Sequence, residues 1–179
     1  MKKYQIIYAD CPWEYEDKAL AGDRGAICKY PVMNMEDIKR LPVATIADDD
    51  CALFLWVTMP KLNECWGVIG SWGFTYKTVA FTWVKTNKNT MGYFMGMGRW
   101  TRANAELCLL ATKGKPKRID AGIPQIVIND VMRHSHKPAI VREKIVRLMG
   151  DLPRIELFAR QKVEGWDCWG NEVKSDIKL

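Results

Sequence analysis

The sequence predicts an α/β fold with a mostly parallel sheet and helices on both of its faces. Segments such as 4–9 and 52–57 are apolar at almost every position, which is typical of strands covered on both faces. Helical segments are interspersed among these strands along the chain, and that arrangement favours a parallel sheet.

Six strands and three helices are predicted. The strands are 4–9, 52–57, 78–84, 105–111, 125–128 and 154–159. The helices are 35–41, 60–72 and 138–149. The last helix has the clearest pattern, because Val141, Ile145 and Leu148 recur on one face. Pro138 lies near its start and Gly150 ends it.

Residues at the boundaries support the other two helices. Asn34 is suited to cap the helix at 35–41, because its short polar side chain can accept a main-chain N–H. Pro60 suits the first turn of the helix at 60–72, and Gly73 closes it.

Two long segments, 14–34 and 85–101, are polar and contain glycine without periodicity, so they are predicted as loops. In open α/β sheets, ligands bind beyond the carboxyl ends of the strands. The side chains expected at that edge are Asp10, Thr58, Lys85, Lys113 and Arg160.

The composition predicts one domain, 1–179, in a cytoplasmic protein. The 179 residues suit a single domain, and 48% hydrophobic residues are enough to form a core. The sequence has no apolar run of about 20 residues, so no membrane-spanning helix and no membrane partner are expected. Asp10 interrupts the first apolar stretch before it reaches the length of a signal peptide.

The charge favours a polyanionic partner. The net charge of +6 attracts phosphates, although many basic proteins bind no nucleic acid. The six cysteines are scattered without a CxxC pair, so buried free thiols are expected instead of disulfides or zinc ligands. His134 and His136 form an HxH pair without a third ligand cluster, which favours a loop over a metal site.

The tetrad Asp10-Cys11-Pro12-Trp13 directly follows the first predicted strand. A carboxylate and a main-chain carbonyl can each accept a hydrogen from an exocyclic amino group and orient its lone pair toward a methyl donor. Pro12 restricts the backbone, and the Trp13 ring is suited to hold a base by stacking. Taken alone, an Asp after a strand fits a cap or turn residue equally well.

Further motifs follow the tetrad in a fixed order. They are YPVMNMEDIKRLPV (30–43), LFLWVT (53–58), WVKTN (83–87), ELCLLATKGKP (106–116), SHKP (135–138), IELFAR (155–160) and WGNE (169–172). Together they resemble the S-adenosylmethionine-dependent N6-adenine methyltransferases typified by the catalytic subunit of the messenger-RNA adenosine methyltransferase, a family with bacterial and phage members. The resemblance covers nearly the whole chain and implies a Rossmann-like methyltransferase fold with permuted motif order.

The resemblance assigns roles residue by residue. The catalytic residues it implies are Asp10, Cys11, Pro12 and Trp13. On the substrate side it implies Tyr30 and Glu106, with Lys137 between substrate and cofactor. The residues expected to contact the cofactor, S-adenosyl-L-methionine, are Asp10, Lys137, Arg160, Asn171 and Glu172. No metal is implied.

The chain departs from the family pattern at Cys11, where the family usually has a second proline. A role of the main-chain carbonyl at this position does not depend on the side chain, and methyl transfer to N6 needs no thiol intermediate. In addition, the segment 155–160 lacks the Gly-rich turn common in other such methyltransferases, so the cofactor loop must take its shape in another way.

Several residues keep two interpretations. Trp100 lies in a loop between two arginines and is the candidate for contact with bases, whereas Trp56 and Trp83 lie inside strands and fit the core. Glu106 fits either a cleft or an exposed strand start. The following basic residues are either solvated surface or a cluster that guides phosphates toward Asp10: Lys85, Lys88, Lys113, Lys115, Lys117 and Arg118.

The sequence therefore predicts an S-adenosylmethionine-dependent N6-adenine methyltransferase that acts on nucleic acid. DNA is the preferred substrate, since no RNA-binding extension is visible, and duplex DNA requires the adenine to be flipped out of the stack. RNA is the alternative substrate, and an inactive nucleic-acid-binding scaffold is the alternative function. Specificity is expected from the loops 14–34 and 86–104, and a homodimer or heterodimer is expected from family analogy alone.

Overall fold

The structure, a computed structural model, describes residues 2–14, 32–96, 98, 100–131 and 136–179. Within these ranges the strands are β1 (Tyr4–Ala9), β2 (Ala47–Val57), β3 (Thr75–Thr86), β4 (Ala105–Lys113), β5 (Ile126–Asp130), β6 (Arg154–Leu157) and β7 (Asp167–Trp169). They form one sheet in the order β5-β3-β4-β2-β1-β6-β7. All six predicted strands are confirmed, with β2, β3 and β4 longer than expected.

The sheet is mostly parallel, as predicted, but β4 runs antiparallel to both of its neighbours, β2 and β3. The start of β4 therefore lies at the edge where β1, β2 and β3 end. Lys113, at the end of β4, pairs with Cys51 at the opposite edge. The expectation that Lys113 lies at the ligand-binding edge is wrong, because it assumed a parallel strand.

Helices cover both faces of the sheet. Helices α1 (Met35–Arg40) and α2 (Cys65–Ser71) lie on one face, and α3 (Ile140–Met149) lies on the other. The side chains of β1 alternate between the two cores: Ile7 and Ala9 pack with α1 and α2, whereas Ile6 and Tyr8 pack with α3. This double burial explains the uninterrupted apolar run of β1 and confirms the Rossmann-like fold class.

Two helices and the last strand also differ from the prediction. The segment 60–72 is not one helix, because it divides into a short 3-10 turn, Met59–Lys61, and α2. The final helix begins at Ile140, two residues after Pro138. Strand β7 was not predicted, since three residues are too few to show a pattern. In the described part of the chain, the helices are too short and too polar for a membrane span.

The predicted cap of α1 is confirmed. The Asn34 side chain accepts a hydrogen bond from the Asp37 main-chain N–H at 2.9 Å. We expect Asn34→Ala to lower the free energy of unfolding by about 1 kcal/mol, because an N–H of the first turn loses its acceptor. Urea denaturation measures this change. The matched control is Asn63→Ala at an exposed turn position without a capping role, where the midpoint should hardly move; an equal loss in both variants would contradict the capping role.

Candidate active site

The candidate site lies where β1 ends and β4 begins. Asp10 directly follows β1, whose final residue pairs with Leu55 of β2. Because β4 is antiparallel, Glu106 near its start lies at the same edge, opposite Trp83 of β3. Strand direction thus brings together two carboxylates that are 96 positions apart in the sequence (106 − 10).

Four charged side chains, Asp10, Lys137, Glu106 and Lys85, form a continuous array, which we call the charge array. Lys137 Nζ donates to Asp10 Oδ2 at 2.7 Å and lies 3.4 Å from Glu106 Oε2. Lys85 Nζ donates to Glu106 Oε1 at 2.5 Å. The four side chains are only 8–19% exposed, so water screens the array weakly.

Alternation of sign keeps this buried array charged. Burial favours neutral Lys137, but Asp10 and Glu106 outweigh that effect and raise its pKa. Burial likewise opposes ionisation of Glu106, yet Lys137 and Lys85 hold its pKa below the usual value. Burial raises the pKa of Asp10, and Lys137 opposes the shift. The cationic Lys137 thus favours the charged form of Asp10 against the effect of burial.

Glu106 keeps one free acceptor position in this array. Its Oε2 atom is buried and has no hydrogen-bond partner among the described residues. The Lys137 ammonium at 3.4 Å is an ion-pair neighbour at that atom, whereas Oε1 is occupied by Lys85. Since a buried acceptor without a donor is costly, Oε2 is suited to accept a hydrogen bond from a ligand.

Two main-chain hydrogen bonds fix the backbone of the tetrad. The Trp13 N–H donates to the Cys11 carbonyl at 2.9 Å, and the Met33 N–H donates to the Pro12 carbonyl at 3.0 Å. Each carbonyl oxygen has two lone pairs, so both retain one for a substrate.

The Trp13 side chain is held in the core instead of standing free as a stacking platform. It is buried, and its indole N–H donates to the Trp56 carbonyl at 3.1 Å. Trp13 still lines an open cleft, together with Met33, Met35 and the Lys61–Glu64 ion pair. Trp13 therefore forms a fixed aromatic wall of this cleft.

The Cys11 side chain points into the core between the sheet and α1 and α2. Burial raises the pKa of its thiol far above the usual value, so it is neutral and a poor nucleophile. If the site transfers a methyl group, as the family resemblance implies, we expect Cys11→Ala to keep kcat for that reaction within about threefold of wild type. The main-chain carbonyl is retained in this variant, and no thiolate takes part. A loss above about 100-fold in a folded variant would contradict a main-chain role for this residue.

Three of the residues implied for the cofactor, Arg160, Asn171 and Glu172, lie in the segments that follow β6 and β7. Arg160 Nε and Glu172 Oε1 are 3.7 Å apart, and Asn171 is exposed beside Glu172. Between them, the Ala159 N–H donates to the Trp169 carbonyl at 3.0 Å. Arg160 also adds a favourable charge to Asp10, so this region and the charge array form one continuous edge.

The loop after β6 takes its shape from Phe158 in place of glycine. Phe158 has a φ of 60°, the left-handed region, and is the one non-glycine residue with positive φ among those described. Its ring packs edge-on against Trp169 at 5.3 Å, which holds the strained backbone. A Cβ at Gly170 would lie 2.4 Å from the Ala159 carbonyl, so the two loop segments approach closely there.

This edge fits S-adenosylmethionine by the chemistry of its donors and acceptors. The cofactor carries a sulfonium cation, an amino-acid group and ribose hydroxyls. Asp10 supplies negative charge, Arg160 supplies a cation for a carboxylate, and Glu172 supplies an acceptor for hydroxyls. No group of three potential metal ligands occurs among the residues that the structure describes.

Not all predicted residues join the site. Trp100 is 96% exposed in the loop between β3 and β4 and lies outside the charge array. Lys115 and Arg118 follow β4 at the opposite edge, so they do not flank Asp10. Tyr30 and His134 fall outside the described residues.

Sequence reasoning gave no site role to two buried tryptophans. Trp56 and Trp83 were expected in the core, which is confirmed, but they also lie directly beneath the lysines of the charge array. The available signal was the spacing of Trp83 and Lys85, since residues two apart in a strand share a face. The Trp56–Lys137 contact has no such signal, because 81 positions separate the two residues (137 − 56).

Comparisons with known proteins agree with the motifs. The chain is 37% identical to the Type II methyltransferase M.MunI of Mycoplasma, over 96% of this chain and 78% of that protein. It is 30% identical to the human N(6)-adenosine-methyltransferase catalytic subunit METTL3 and 29% identical to the mouse N(6)-adenine-specific methyltransferase METTL4, over 96% of this chain in each case. These alignments cover 28% and 38% of the two mammalian proteins.

The family model described as MT-A70 matches residues 4–172, a span that includes the tetrad, the charge array and the loop after β6. The order of motifs and the geometry of the edge agree with this match, which confirms the resemblance found in the sequence. The chain therefore belongs to the MT-A70 family of methyltransferases.

Proposed function

We propose that this chain, as one catalytic domain, transfers a methyl group from S-adenosylmethionine to N6 of adenine in DNA. The observation that carries the proposal is the buried Asp10 carboxylate, held by Lys137 at 2.7 Å beside two main-chain carbonyls with free lone pairs. When bound, the cofactor supplies an electrophilic methyl group on a sulfonium.

Asp10 and a tetrad carbonyl would act on the two hydrogens of the adenine amino group. Accepting both hydrogens draws the nitrogen lone pair out of conjugation with the ring and aims it at the methyl donor. Asp10 also stabilises the positive charge that develops at nitrogen during transfer, which is an electrostatic effect enhanced by burial. The excess proton on N6 then passes to the Asp10 carboxylate and from there to water.

Glu106 would define the substrate side, and Lys137 would lie between substrate and cofactor. Lys137 fixes the Asp10 carboxylate by a direct hydrogen bond, and the free Oε2 of Glu106 offers an acceptor at the same edge. Arg160, Asn171 and Glu172 would hold the cofactor on the other side of Asp10. In this arrangement the adenine N6 atom, which accepts the methyl group, would lie between the substrate-side residues and the cofactor-side residues.

DNA is favoured over RNA by the pattern of relatives. Type II methyltransferases modify DNA, and this chain covers 78% of M.MunI, whereas it covers 28% of METTL3. The net charge of +6 suits either nucleic acid. For duplex DNA the adenine must leave the stack, because the charge array is buried. A dimer, by family analogy, is the expected assembly.

Labelled methyl transfer tests the proposal directly. Duplex DNA, single-stranded DNA and RNA of the same sequence are incubated with labelled S-adenosylmethionine, and the product nucleoside is identified by chromatography. N6-methyladenine in DNA is the expected result. Preferential labelling of RNA would establish the alternative substrate, and failure to bind S-adenosylmethionine in calorimetry would overturn the enzyme function in favour of a scaffold.

A further inference from the structure

Two buried indoles lie beneath the two lysines of the charge array. Lys137 Nζ lies 5.6 Å from the ring centroid of Trp56, and Lys85 Nζ lies 5.0 Å from that of Trp83. Both distances fall within the roughly 6 Å over which an indole face attracts a cation. Because both rings are buried, water competes weakly with this attraction.

The two rings are fixed in orientation by hydrogen bonds. Trp56 Nε1 donates to the Tyr8 hydroxyl at 2.6 Å, and Trp83 Nε1 donates to the Asn129 carbonyl at 2.9 Å. The rings meet edge to face, with centroids 6.4 Å apart and an interplanar angle of 78°. Neither indole can turn away from its lysine without leaving a buried N–H unpaired.

A second layer supports the Trp56 ring from behind. The Tyr8 ring lies 5.7 Å below the guanidinium of Arg142. Arg142 in turn donates two hydrogen bonds, of 2.7 and 2.8 Å, to the buried Glu156 carboxylate. This bidentate ion pair fixes Tyr8, and thereby the acceptor of the Trp56 indole.

The register of the sheet explains how these groups meet. Trp83 pairs with Glu106, and Trp56 pairs with Cys108 two residues further along β4. Residues two apart in a strand share a face, so both indoles and Glu106 lie on the face covered by α3. Lys85 follows Trp83 at the same spacing and reaches the same carboxylate.

We propose that Trp56 and Trp83, the two-indole floor, are positioning residues that hold the ammonium groups of Lys137 and Lys85 on either side of Glu106. A lysine has a long flexible stem, so an ion pair alone fixes its head poorly. The floor restricts each ammonium to the space between an indole face and a carboxylate. The catalytic consequence rests on the proposed function, whereas the placement of the lysines does not.

Trp56 also connects the floor to the tetrad. Its main-chain carbonyl accepts the Trp13 indole N–H, while its own ring faces Lys137. One residue of β2 thereby fixes both the aromatic wall and the cation bound to Asp10. A shift of this residue would displace both sides of the site together.

Lysine NMR tests the placement without any need for activity. In protein labelled with ¹³C-lysine, the Hε resonances of Lys137 and Lys85 should lie upfield of exposed lysines, because they sit over indole rings; Lys137→Arg and Lys85→Arg assign them. Trp56→Leu should return the Lys137 resonance toward the exposed position, and Trp56→Phe should retain part of the shift. Unchanged Lys137 resonances in both variants would overturn the proposal.

Kinetics tests the catalytic consequence. Trp56→Leu should lower kcat about tenfold, with a smaller loss for Trp56→Phe, which keeps a weaker aromatic face. In a Lys137→Met background the Trp56 substitutions should add little, since the floor acts through that lysine. Additive losses in the double variant would overturn the positioning role.

The matched control is Trp72→Leu. Trp72 is also buried and hydrogen-bonded through its indole, to the Ile38 carbonyl, but it belongs to the core on the opposite face of the sheet. Trp72→Leu should lower the stability of the protein without altering the lysine Hε resonances. An equal change of the Lys137 resonance in Trp72→Leu and Trp56→Leu would overturn the specific contact. If wild-type protein methylates neither DNA nor RNA, the proposed function fails. The lysine Hε resonances would still test whether the two-indole floor positions Lys137 and Lys85.

Discussion

Replacement of Asp10 by Ala is expected to lower kcat for adenine methylation by about 100- to 1,000-fold, the range for loss of one preorganised group that stabilises developing charge. The substitution removes an acceptor of the amino hydrogens and the negative charge beside the reacting nitrogen. It also leaves Lys137, which is buried and hydrogen-bonded to Asp10 at 2.7 Å, with Glu106 as its remaining anion.

The variant Asp10→Asn distinguishes the hydrogen-bond acceptor role of Asp10 from the role of its negative charge. The amide keeps one oxygen acceptor in nearly the same shape but carries no charge and presents an NH₂ group, which repels the Lys137 donor or the amino group. We expect its kcat to lie between those of wild type and Asp10→Ala. Equal activity of Asp10→Asn and wild type would show that the acceptor alone matters.

Labelled methyl transfer under single-turnover conditions measures both variants, and calorimetry with S-adenosylmethionine shows whether the cofactor still binds. Asp49→Asn is the control, because its carboxylate is fully exposed at the opposite edge of the sheet. It should retain wild-type activity. An Asp10→Ala variant that is folded and within about threefold of wild type would overturn the proposed role.

The sequence predicted the elements of this fold well because burial on both faces leaves a plain signal. Strand β1 is apolar at all positions but Gln5, and its existence follows from that pattern. Strand direction leaves no such signal: a strand that is buried on both faces has the same composition whichever way it runs. For this reason the reversal of β4, and with it the position of Lys113, emerged only from the pairing register.

The candidate site was predictable in its residues but not in its connections. Asp10, Glu106 and Lys137 were identified from motifs, and the structure brings all three into contact. The links that hold them, such as the Trp56 indole beneath Lys137 and its bond to Tyr8, join distant segments through side-chain packing. The motifs therefore indicate which residues lie at the same edge of the sheet, whereas side-chain packing determines which of those residues are in contact.

Replacement of Lys137 by Met is the substitution with the second largest expected effect. It removes the cation between Asp10 and Glu106 but keeps a stem of similar length over the Trp56 ring. The two buried carboxylates would then face each other with Lys85 as the remaining cation of the array. We expect kcat at neutral pH to fall by about 100-fold, because the Asp10 carboxylate is no longer fixed and its charged form is less favoured.

The pH dependence of kcat shows in which direction Lys137→Met shifts the pKa of Asp10. Burial already raises the pKa of Asp10 above the ordinary value of 3.8, and Lys137 opposes that shift. Removing Lys137 therefore raises the Asp10 pKa further. Since the carboxylate is the active form, activity is present above its pKa and lost as pH falls through it. The acid limb of kcat should accordingly move to higher pH in Lys137→Met, so part of the lost activity returns under alkaline conditions.

Lys137→Arg is the matched variant, because it keeps the positive charge and can still donate to Asp10. Its acid limb should stay near that of wild type even if the bulkier guanidinium lowers kcat. Rates measured at saturating DNA and S-adenosylmethionine between pH 5 and 9 distinguish the two variants. An unchanged acid limb in Lys137→Met would mean that Lys137 orients the carboxylate without controlling its ionisation, and the electrostatic account of the charge array would then be wrong.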